Sequence, residues 1–344
     1  DHPPVGELSR RSEARIISTG EVLSSTIISY AFNAEGVSCR LIDARRMIIT
    51  DDNYISAQPD METTEANVRR IVGQESKGVD IVLTQGFIAS TGAGVPSVLG
   101  FEGSDYSAAI FGSALDAERV EIWTDVDGIR TTDPRFIGST RKIDVISYEE
   151  AAEMAVMGAR VLHPLTIEPA RRRNIQIRVL NSTNPECEGS SVVRSDEAPG
   201  GPKSVAFRSE ILFVRIRSSR LEGVTRMLGK VFAVLYPKRI PVTLAKATES
   251  EVCLVIPEEV DGLAEAFDEI RKWAEVTVYR DKSFIAVIGR DIVGFEGLGD
   301  KVIGFSGKVY MANVGANMMS ESFVIDRDRL QVTLERLHDY IFEQ

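Results

Sequence analysis

Apolar and polar residues alternate in blocks along the first 201 residues, and these blocks predict strands and helices in turn. Short apolar runs at 14–18, 80–84 and 120–123 have the length of buried strands, and each leads into a polar or glycine-bearing turn. Segments with apolar residues at helical spacing lie between these runs. This order predicts an α/β fold, in which helices flank a mainly parallel sheet.

The most informative stretch covers residues 99–135. A glycine turn leads into Ser104 and Asp105 at the start of an apolar helix, and the strand that follows ends at Thr124. Glycine allows a close approach of the backbone, and a capped helix N-terminus attracts phosphate. The order of helix, strand and polar loop places Asp105 and that loop at one edge of the sheet, where ligands bind in such folds. The alternative is an ordinary strand–turn–helix unit whose acidic residues lie on the surface.

Two charged residues outside that stretch are candidate ligand contacts. Glu21 follows the apolar run at 14–18, so we expect it at a strand-to-helix turn, where its carboxylate would meet a ligand amine. Arg160 lies in the tight loop 158–164, where its guanidinium would reach a phosphate. Each also has a simpler interpretation, Glu21 as a first-turn residue that complements the helix dipole and Arg160 as a surface arginine.

The last part of the chain contains an internal repeat. Residues 186–201 are rich in Ser, Gly, Glu and Pro and are typical of a linker, and beyond them a strand–helix–strand–strand–helix pattern occurs twice. This pattern predicts two ferredoxin-like βαββαβ modules, at 202–281 and 282–344, after a first domain at 1–201. The second copy ends in a helix and needs one more strand, for which residues 204–208 are the candidate. The two modules would then be interleaved.

Composition narrows the class of protein. The 344 residues carry a net charge of −11 and three widely separated cysteines. The acidic excess argues against nucleic acid or an anionic membrane as a partner, and three such cysteines suggest neither a disulfide framework nor a metal site. No apolar run reaches the roughly 20 residues that span a bilayer, and no signal-peptide pattern is recognised. We therefore expect a cytoplasmic protein, and the three scattered histidines predict no protein-bound metal.

Several motifs, taken in order, resemble those of the aspartokinase family. They are STGEVLS at 18–24, QGFI at 85–88, LG at 99–100, GSDY at 103–106, TDVDG at 124–128, DPR at 133–135 and GARVLHP at 158–164. Each is weak alone, but the ordered set over nearly the whole chain is specific. The resemblance implies an amino acid kinase fold followed by two ACT modules. Its implied reaction is phosphoryl transfer from MgATP to the side-chain carboxylate of L-aspartate, which gives 4-phospho-L-aspartate.

The resemblance also implies regulation and assembly. Lysine, threonine or both would inhibit the enzyme through the ACT modules, at the entry to lysine, threonine and methionine synthesis. The modules would pair in a homodimer or a higher homo-oligomer. The residues implied to face the effector are Thr243, Val314, Gly315 and Asn317.

Other roles implied by the resemblance concern the substrates. Glu21 would hold the amino group of aspartate, Phe87 would form a wall of its pocket, and Ser104 would organise the substrate. Asp105 and Arg160 would act at the transfer of the phosphoryl group. The residues implied to contact the nucleotide are Thr124, Asp125, Arg130, Asp133 and Arg135.

The sequence departs from the family pattern at several positions. The Lys-Phe-Gly-Gly segment that opens the family's kinase domain is absent, so we expect the chain to lack the first part of that domain. Phe101 stands where many members have an Arg that binds a substrate carboxylate, a bidentate contact that Phe cannot make. Arg130 replaces a Tyr, and Arg160 replaces a Lys, which keeps the charge but not the shape. The end at residue 344 after a helix fits a chain without a fused dehydrogenase.

Two alternatives to a feedback-regulated aspartate kinase remain open. One is a catalytically weak, amino-acid-sensing regulatory subunit on a kinase scaffold, which Phe101 favours and the retained Glu21 and Asp105 oppose. The other is a kinase for another small amino acid such as glutamate, which the ACT modules and the loop 158–164 oppose.

Overall fold

The structure is a computed structural model that describes residues 8–159, 162, 164–315 and 318–343. Its contacts divide the chain into two compact units. The first unit consists of Asp1–Ile129, Asp144–Ala152 and Arg160–Ala198, and the second of Arg130–Ile143, Glu153–Ala159 and Pro199–Gln344. No helix among the described residues is long and apolar enough to cross a membrane.

The first unit is an α/β structure. Its helices are α1 (Arg10–Ala34), α2 (Met61–Glu75), α3 (Gly103–Ala114), the beginning of α4 (Tyr148–Met157) and α5 (Pro164–Arg173). Its strands are β1 (Cys39–Ile42), β2 (Ile49–Thr50), β3 (Ile81–Thr84), β4 (Ile88–Thr91), β5 (Pro96–Val98), β6 (Arg119–Thr124), β7 (Val145–Ser147), β8 (Gln176–Asn181) and β9 (Ser190–Val193).

Most strand pairs of the first unit are parallel, as the sequence predicts. The parallel pairs are β1–β3, β2–β4, β6–β8 and β7–β9, and the antiparallel pairs are β4–β5 and β8–β9. The predicted cap of α4 is also confirmed. Ser147 Oγ accepts a hydrogen bond from Glu150 N at 3.2 Å, and Glu150 Oε2 accepts one from Ser147 N at 2.9 Å, which is a capping box.

Two expectations for the first unit are wrong. Residues 14–18, expected as a strand, lie within α1, which Ser9 caps. Ile16 and Ile17 in this run are 57% and 41% exposed, so the apolar run lacks the burial of a core strand. The linker expected at 186–201 contains β9, because Val192 is fully buried and its strand fits between β7 and β8.

The second unit contains a six-stranded antiparallel sheet and the remaining helices. The strands are β10 (Gly201–Arg217), β11 (Leu244–Ala247), β12 (Glu251–Pro257), β13 (Glu275–Arg290), β14 (Val309–Asn313) and β15 (Ser320–Asp326), and the helices are α6 (Val224–Leu235), α7 (Leu263–Arg271), α8 (Leu298–Ser306) and α9 (Leu330–Phe342). The order in the sheet is β11-β12-β10-β13-β15-β14.

The long strands β10 and β13 are shared by two ferredoxin-like βαββαβ modules. The second half of β10 and the first half of β13 complete the module of α6 and α7. Ser204 to Arg208 in β10 pair with Ile288 to Phe284 in β13 and so contribute a strand to the module of α8 and α9. Each module has its own buried apolar cluster between its helices and the sheet.

Candidate functional site

The loop after β3 meets the N-terminus of α3 at very short range. A Cβ built on Gly86 would lie 3.0 Å from Cα of Ser104, and one built on Gly103 would lie 2.9 Å from Cδ2 of Phe87. Glycine permits this approach because it has no Cβ. Phe87 has a φ of +68° and Glu102 a φ of +55°. Left-handed conformations of such residues are costly and cluster at functional sites.

The first turn of α3 is suited to an anion. Glu102 precedes the helix and makes no side-chain capping hydrogen bond. Ser104 is exposed, and Asp105 is half-buried. Burial, and then the charge of Glu102, raise the pKa of the Asp105 carboxyl above its usual range. The backbone N–H groups at the helix N-terminus therefore favour an anion such as phosphate, whereas the ionised carboxyl of Asp105 favours a cation beside it.

Glu21 approaches this region from within a helix. The strand-to-helix turn expected at Glu21 is wrong, because α1 continues through this residue to Ala34. Ser25, one turn further on, accepts a hydrogen bond from Nε2 of buried Gln85 at 2.8 Å. Residues four apart share a helix face, and Val22 packs in the same apolar cluster as Phe87. Glu21 therefore lies on the side of α1 that faces the loop carrying Phe87.

The end of β6 lies level with the N-terminus of α3. A Cβ on Gly112 would overlap Cγ2 of Val120, so the helix lies directly on the strand. From this contact the strand continues four residues, about 13 Å, to Thr124. The helix runs back nine residues, about 14 Å, to Gly103. These similar lengths agree with the expected placement of Asp105 and the loop after Thr124 at one edge of the sheet.

Sequence reasoning missed the segment that holds this loop. Asn181 Nδ2 donates to Asp127 Oδ1 at 2.7 Å, and Ser182 donates from its backbone N and from Oγ to the carbonyl oxygen of Thr124 at 2.8 and 2.9 Å. Asn184 Nδ2 also donates to Asp127 Oδ1, at 3.3 Å. The sequence contained a signal for this contact, because Asn181 ends a strand parallel to β6 and therefore lies at the same edge of the sheet as Thr124.

The predicted nucleotide residues are divided between the two units. Thr124 and Asp125 belong to the first unit, and Arg130, Asp133 and Arg135 to the second. Arg130 Nη1 donates to the carbonyl oxygen and to Oγ1 of Thr140, at 3.0 and 3.2 Å. The guanidinium of Arg135 donates from Nη2 to Asp133 Oδ2 at 2.6 Å and from Nε to Oδ1 at 3.0 Å. In this conformation both guanidinium groups are engaged within their own segment.

The described residues of the predicted effector set lie at strand ends in the second unit. Thr243 directly precedes β11, and its N donates to the carbonyl oxygen of Val255 at 2.8 Å. Val314 and Gly315 directly follow β14. Lys246 Nζ of β11 lies 3.5 Å from the carbonyl oxygen of Ala312 in β14, so these two edge strands approach each other.

Two further predicted site residues, Arg160 and Asn317, lie outside the described residues.

Among the described residues, one group has the spacing of metal ligands, His338, Asp339 and Glu343 at the end of α9. His338 Nε2 shares a hydrogen bond with Thr131 Oγ1 at 2.9 Å. None of the three was singled out from the sequence.

Comparison with known proteins identifies relatives over most of the chain. The model of the Amino acid kinase family matches residues 4–181. Lysine-sensitive aspartokinase 3 of Escherichia coli is 32% identical over 340 residues, which cover 95% of this chain and 75% of that protein.

Two solved structures of E. coli aspartokinase III are also similar. The complex with aspartate and ADP has a TM-score of 0.88 at 30% identity, over 98% of this chain and 77% of that one. The complex with lysine and aspartate has a TM-score of 0.79 at 31% identity, with the same coverage. The chain thus spans about three quarters of the length of these relatives.

Proposed function

This chain belongs to the aspartokinases, enzymes of the amino acid kinase family, and we propose that it transfers the γ-phosphoryl group of ATP to the side-chain carboxylate of L-aspartate. The products would be 4-phospho-L-aspartate and ADP. The observation that carries the proposal is the close approach of the Phe87 loop to the N-terminus of α3, with α1 packed on that loop. The E. coli structure with a TM-score of 0.88 holds aspartate and ADP.

The residues around α3 suit positioning and charge stabilisation, which phosphoryl transfer needs more than covalent chemistry. The carboxylate of Glu21 would accept hydrogen bonds from the ammonium group of aspartate. The ring of Phe87 would form the pocket wall, and the exposed hydroxyl of Ser104 would orient the acceptor carboxylate. Backbone N–H groups of the first turn of α3 would stabilise the negative charge of the moving phosphoryl group.

ATP would bind to the loop after β6. Its contacts would come from five residues, Thr124, Asp125, Arg130, Asp133 and Arg135, and Arg160 would bring a cation to the phosphates. Asp105 and Asp125 offer carboxylate oxygens, the ligand type that Mg²⁺ takes together with substrate phosphates. The bound ion would neutralise phosphate charge, which an acidic protein of net charge −11 needs.

We infer feedback regulation by an amino acid that binds the ferredoxin-like modules as ACT domains. Lysine is the first candidate, because the E. coli relative is described as lysine-sensitive and one of its structures holds lysine. Threonine is the alternative. The proposed contacts are Thr243, Val314, Gly315 and Asn317. The proposed domains are 1–201 for the kinase, 202–281 for the first ACT module and 282–344 for the second.

A homodimer through the first ACT module is supported by an exposed apolar stripe on α6. Val224 and Phe232, two turns apart on this helix, are 40% and 37% exposed. Leu221 before the helix and Tyr236 after it are 78% and 81% exposed. Such a stripe on a regulatory helix fits a second copy of the same helix across a two-fold axis.

The alternative of a catalytically weak sensory subunit is favoured by one observation. Phe101, beside the first turn of α3, is 79% exposed, and its ring offers no donor for a substrate carboxylate. A protein of this kind would bind lysine or threonine and would turn over ATP slowly or not at all.

Release of ADP, measured with purified protein, MgATP and varied amino acid, separates these functions. We expect saturable ADP release with aspartate, little with glutamate, and inhibition by lysine or threonine added in turn. Equal or faster turnover with glutamate would reassign the substrate. Binding of lysine or threonine in calorimetry without aspartate-dependent ADP release would support the sensory subunit instead.

A further inference from the structure

The segment Arg130–Ile143 carries predicted nucleotide residues, but it is packed into the second unit. Val205 N of β10 donates to the carbonyl oxygen of Thr131 at 2.7 Å, and Thr132 Oγ1 donates to the carbonyl oxygen of Val205 at 2.7 Å. Both threonines are buried. The start of the segment is therefore hydrogen-bonded to the strand that the two modules share.

Apolar contacts hold the middle of the same segment. Ile137 is 4% exposed and belongs to the buried cluster of the second ferredoxin-like module. The ring of Phe136 packs edge-on against that of Phe207 in β10, with centroids 4.6 Å apart. Gln331 of α9 donates from Nε2 to the carbonyl oxygen of Phe136 at 2.9 Å.

A buried histidine on α9 also contacts this segment. His338 is fully buried, and its Nε2 shares a hydrogen bond with Thr131 Oγ1 at 2.9 Å. The same hydroxyl accepts a hydrogen bond from Arg141 N at 3.1 Å, and so links the two ends of the segment. Gln331 and His338 both lie on the last helix of the second ferredoxin-like module. Gln331 contacts the backbone of the segment Arg130–Ile143, and His338 contacts a side chain in it.

We propose that α9 positions Asp133 and Arg135 for nucleotide binding, with His338 and Gln331 as the positioning residues. The inference rests on the proposed kinase function. The second ACT module and the nucleotide segment form one packed body, so an amino acid that shifts α9 or β10 also shifts these two residues. Effector binding is thereby coupled to ATP affinity, through contacts that touch neither ligand.

Three variants of the protein test the proposal. Thr131→Val removes the hydroxyl that meets His338, and Gln331→Ala removes the donor to Phe136. Arg336→Ala, on an exposed position of α9, is the matched control. The measurements are the KM for ATP, the KM for aspartate, the lysine or threonine concentration that halves activity, and hydrogen exchange of residues 130–143.

We expect Thr131→Val and Gln331→Ala to raise the KM for ATP about five-fold and to weaken effector inhibition by a similar factor, within the usual range of coupling. The KM for aspartate and all values for Arg336→Ala would stay within two-fold. A purely structural role would lower protein stability without this split between the two KM values. Hydrogen exchange of 130–143 would become faster in the first two variants only.

Two results would overturn the proposal. One is an unchanged KM for ATP in both Gln331→Ala and Thr131→Val, and the other is an equal change in the control. If Thr131→Val does not fold, Gln331→Ala, on an exposed side chain, decides alone. If the unaltered protein releases no ADP, the kinase function fails separately. Unchanged exchange of 130–143 in the variants would then reject the positioning role as well.

Discussion

At the scale of single residues, Asp105 is the group on which the kinase proposal depends most. Asp105→Asn keeps the size of the side chain but removes its charge beside the moving phosphoryl group. We expect kcat to fall by about 10²–10³-fold, the usual cost of losing one preorganised electrostatic contact in an active site. Steady-state ADP release measures this. Asp116→Asn, on an exposed side chain two residues after the end of α3, is the control and should retain activity. Equal activity in both variants would remove Asp105 from the reaction.

The buried carboxyl of Glu321 provides a prediction on stability. Glu321 is 4% exposed in β15, and burial raises the pKa of its carboxyl. The folded state therefore binds the proton more tightly than the unfolded state, so this residue lowers the free energy of unfolding as the pH rises above about 4.3, the ordinary pKa of Glu. We expect Glu321→Gln to be more stable than the unaltered protein at pH 8 and to lose this advantage at pH 4.

Urea unfolding at the two pH values measures that difference. Glu296→Gln, on an exposed side chain, is the control and should show no pH-dependent gain. A stability difference for Glu321→Gln that is the same at both pH values would contradict the assignment of a raised pKa.

At the scale of elements, the contact of α3 with the Phe87 loop depends on Gly103. A methyl group at this position would meet Cδ2 of Phe87 at 2.9 Å and Cβ of Leu99 at 3.1 Å. We expect Gly103→Ala to lower the free energy of unfolding by about 1–3 kcal/mol, the usual cost of overpacking, and to weaken aspartate binding.

Gly73→Ala is the matched control in the interior of α2, where an added Cβ meets nothing within 4 Å. It should raise the free energy of unfolding by about 0.5–1 kcal/mol, because Ala loses less conformational entropy than Gly in a helix. Urea unfolding of both variants checks these opposite changes in the free energy of unfolding, and aspartate titration checks the change in binding. A stable Gly103→Ala with normal aspartate binding would show that the contact has no role in shaping the pocket.

The elements also show which parts of the fold could be predicted from the sequence. The strand ending at Thr124 and the helix beginning near Ser104 were predictable, because periodicity and glycine turns are local signals. The extension of α1 through residues 14–18 was not predictable, because its exposed apolar residues have the pattern of a buried strand. Local signals likewise could not reveal the attachment of Thr131 to His338, since 207 residues separate them. The contact of Asn181 with the loop after β6 could have been predicted, because Asn181 ends a strand that pairs with β6.

At the scale of the whole molecule, assembly is predicted to depend on α6. Phe232→Glu places a carboxylate in the exposed stripe of that helix, and we expect it to convert a homodimer into monomers in sedimentation velocity. Ile303→Glu introduces the same group on α8, where Ile303 is 51% exposed, and should leave the dimer intact. Loss of the dimer in both variants, or in neither, would exclude α6 as the specific interface.

The most direct test of the central claim is trapping of the acyl phosphate product. Protein, MgATP and L-aspartate are incubated with hydroxylamine, which converts an acyl phosphate to a hydroxamate, and the hydroxamate is identified by mass. We expect aspartate β-hydroxamate to form in step with ADP, and both rates to fall together with Asp105→Asn. No hydroxamate from the unaltered protein, or ADP release without it, would contradict phosphorylation of the aspartate side chain.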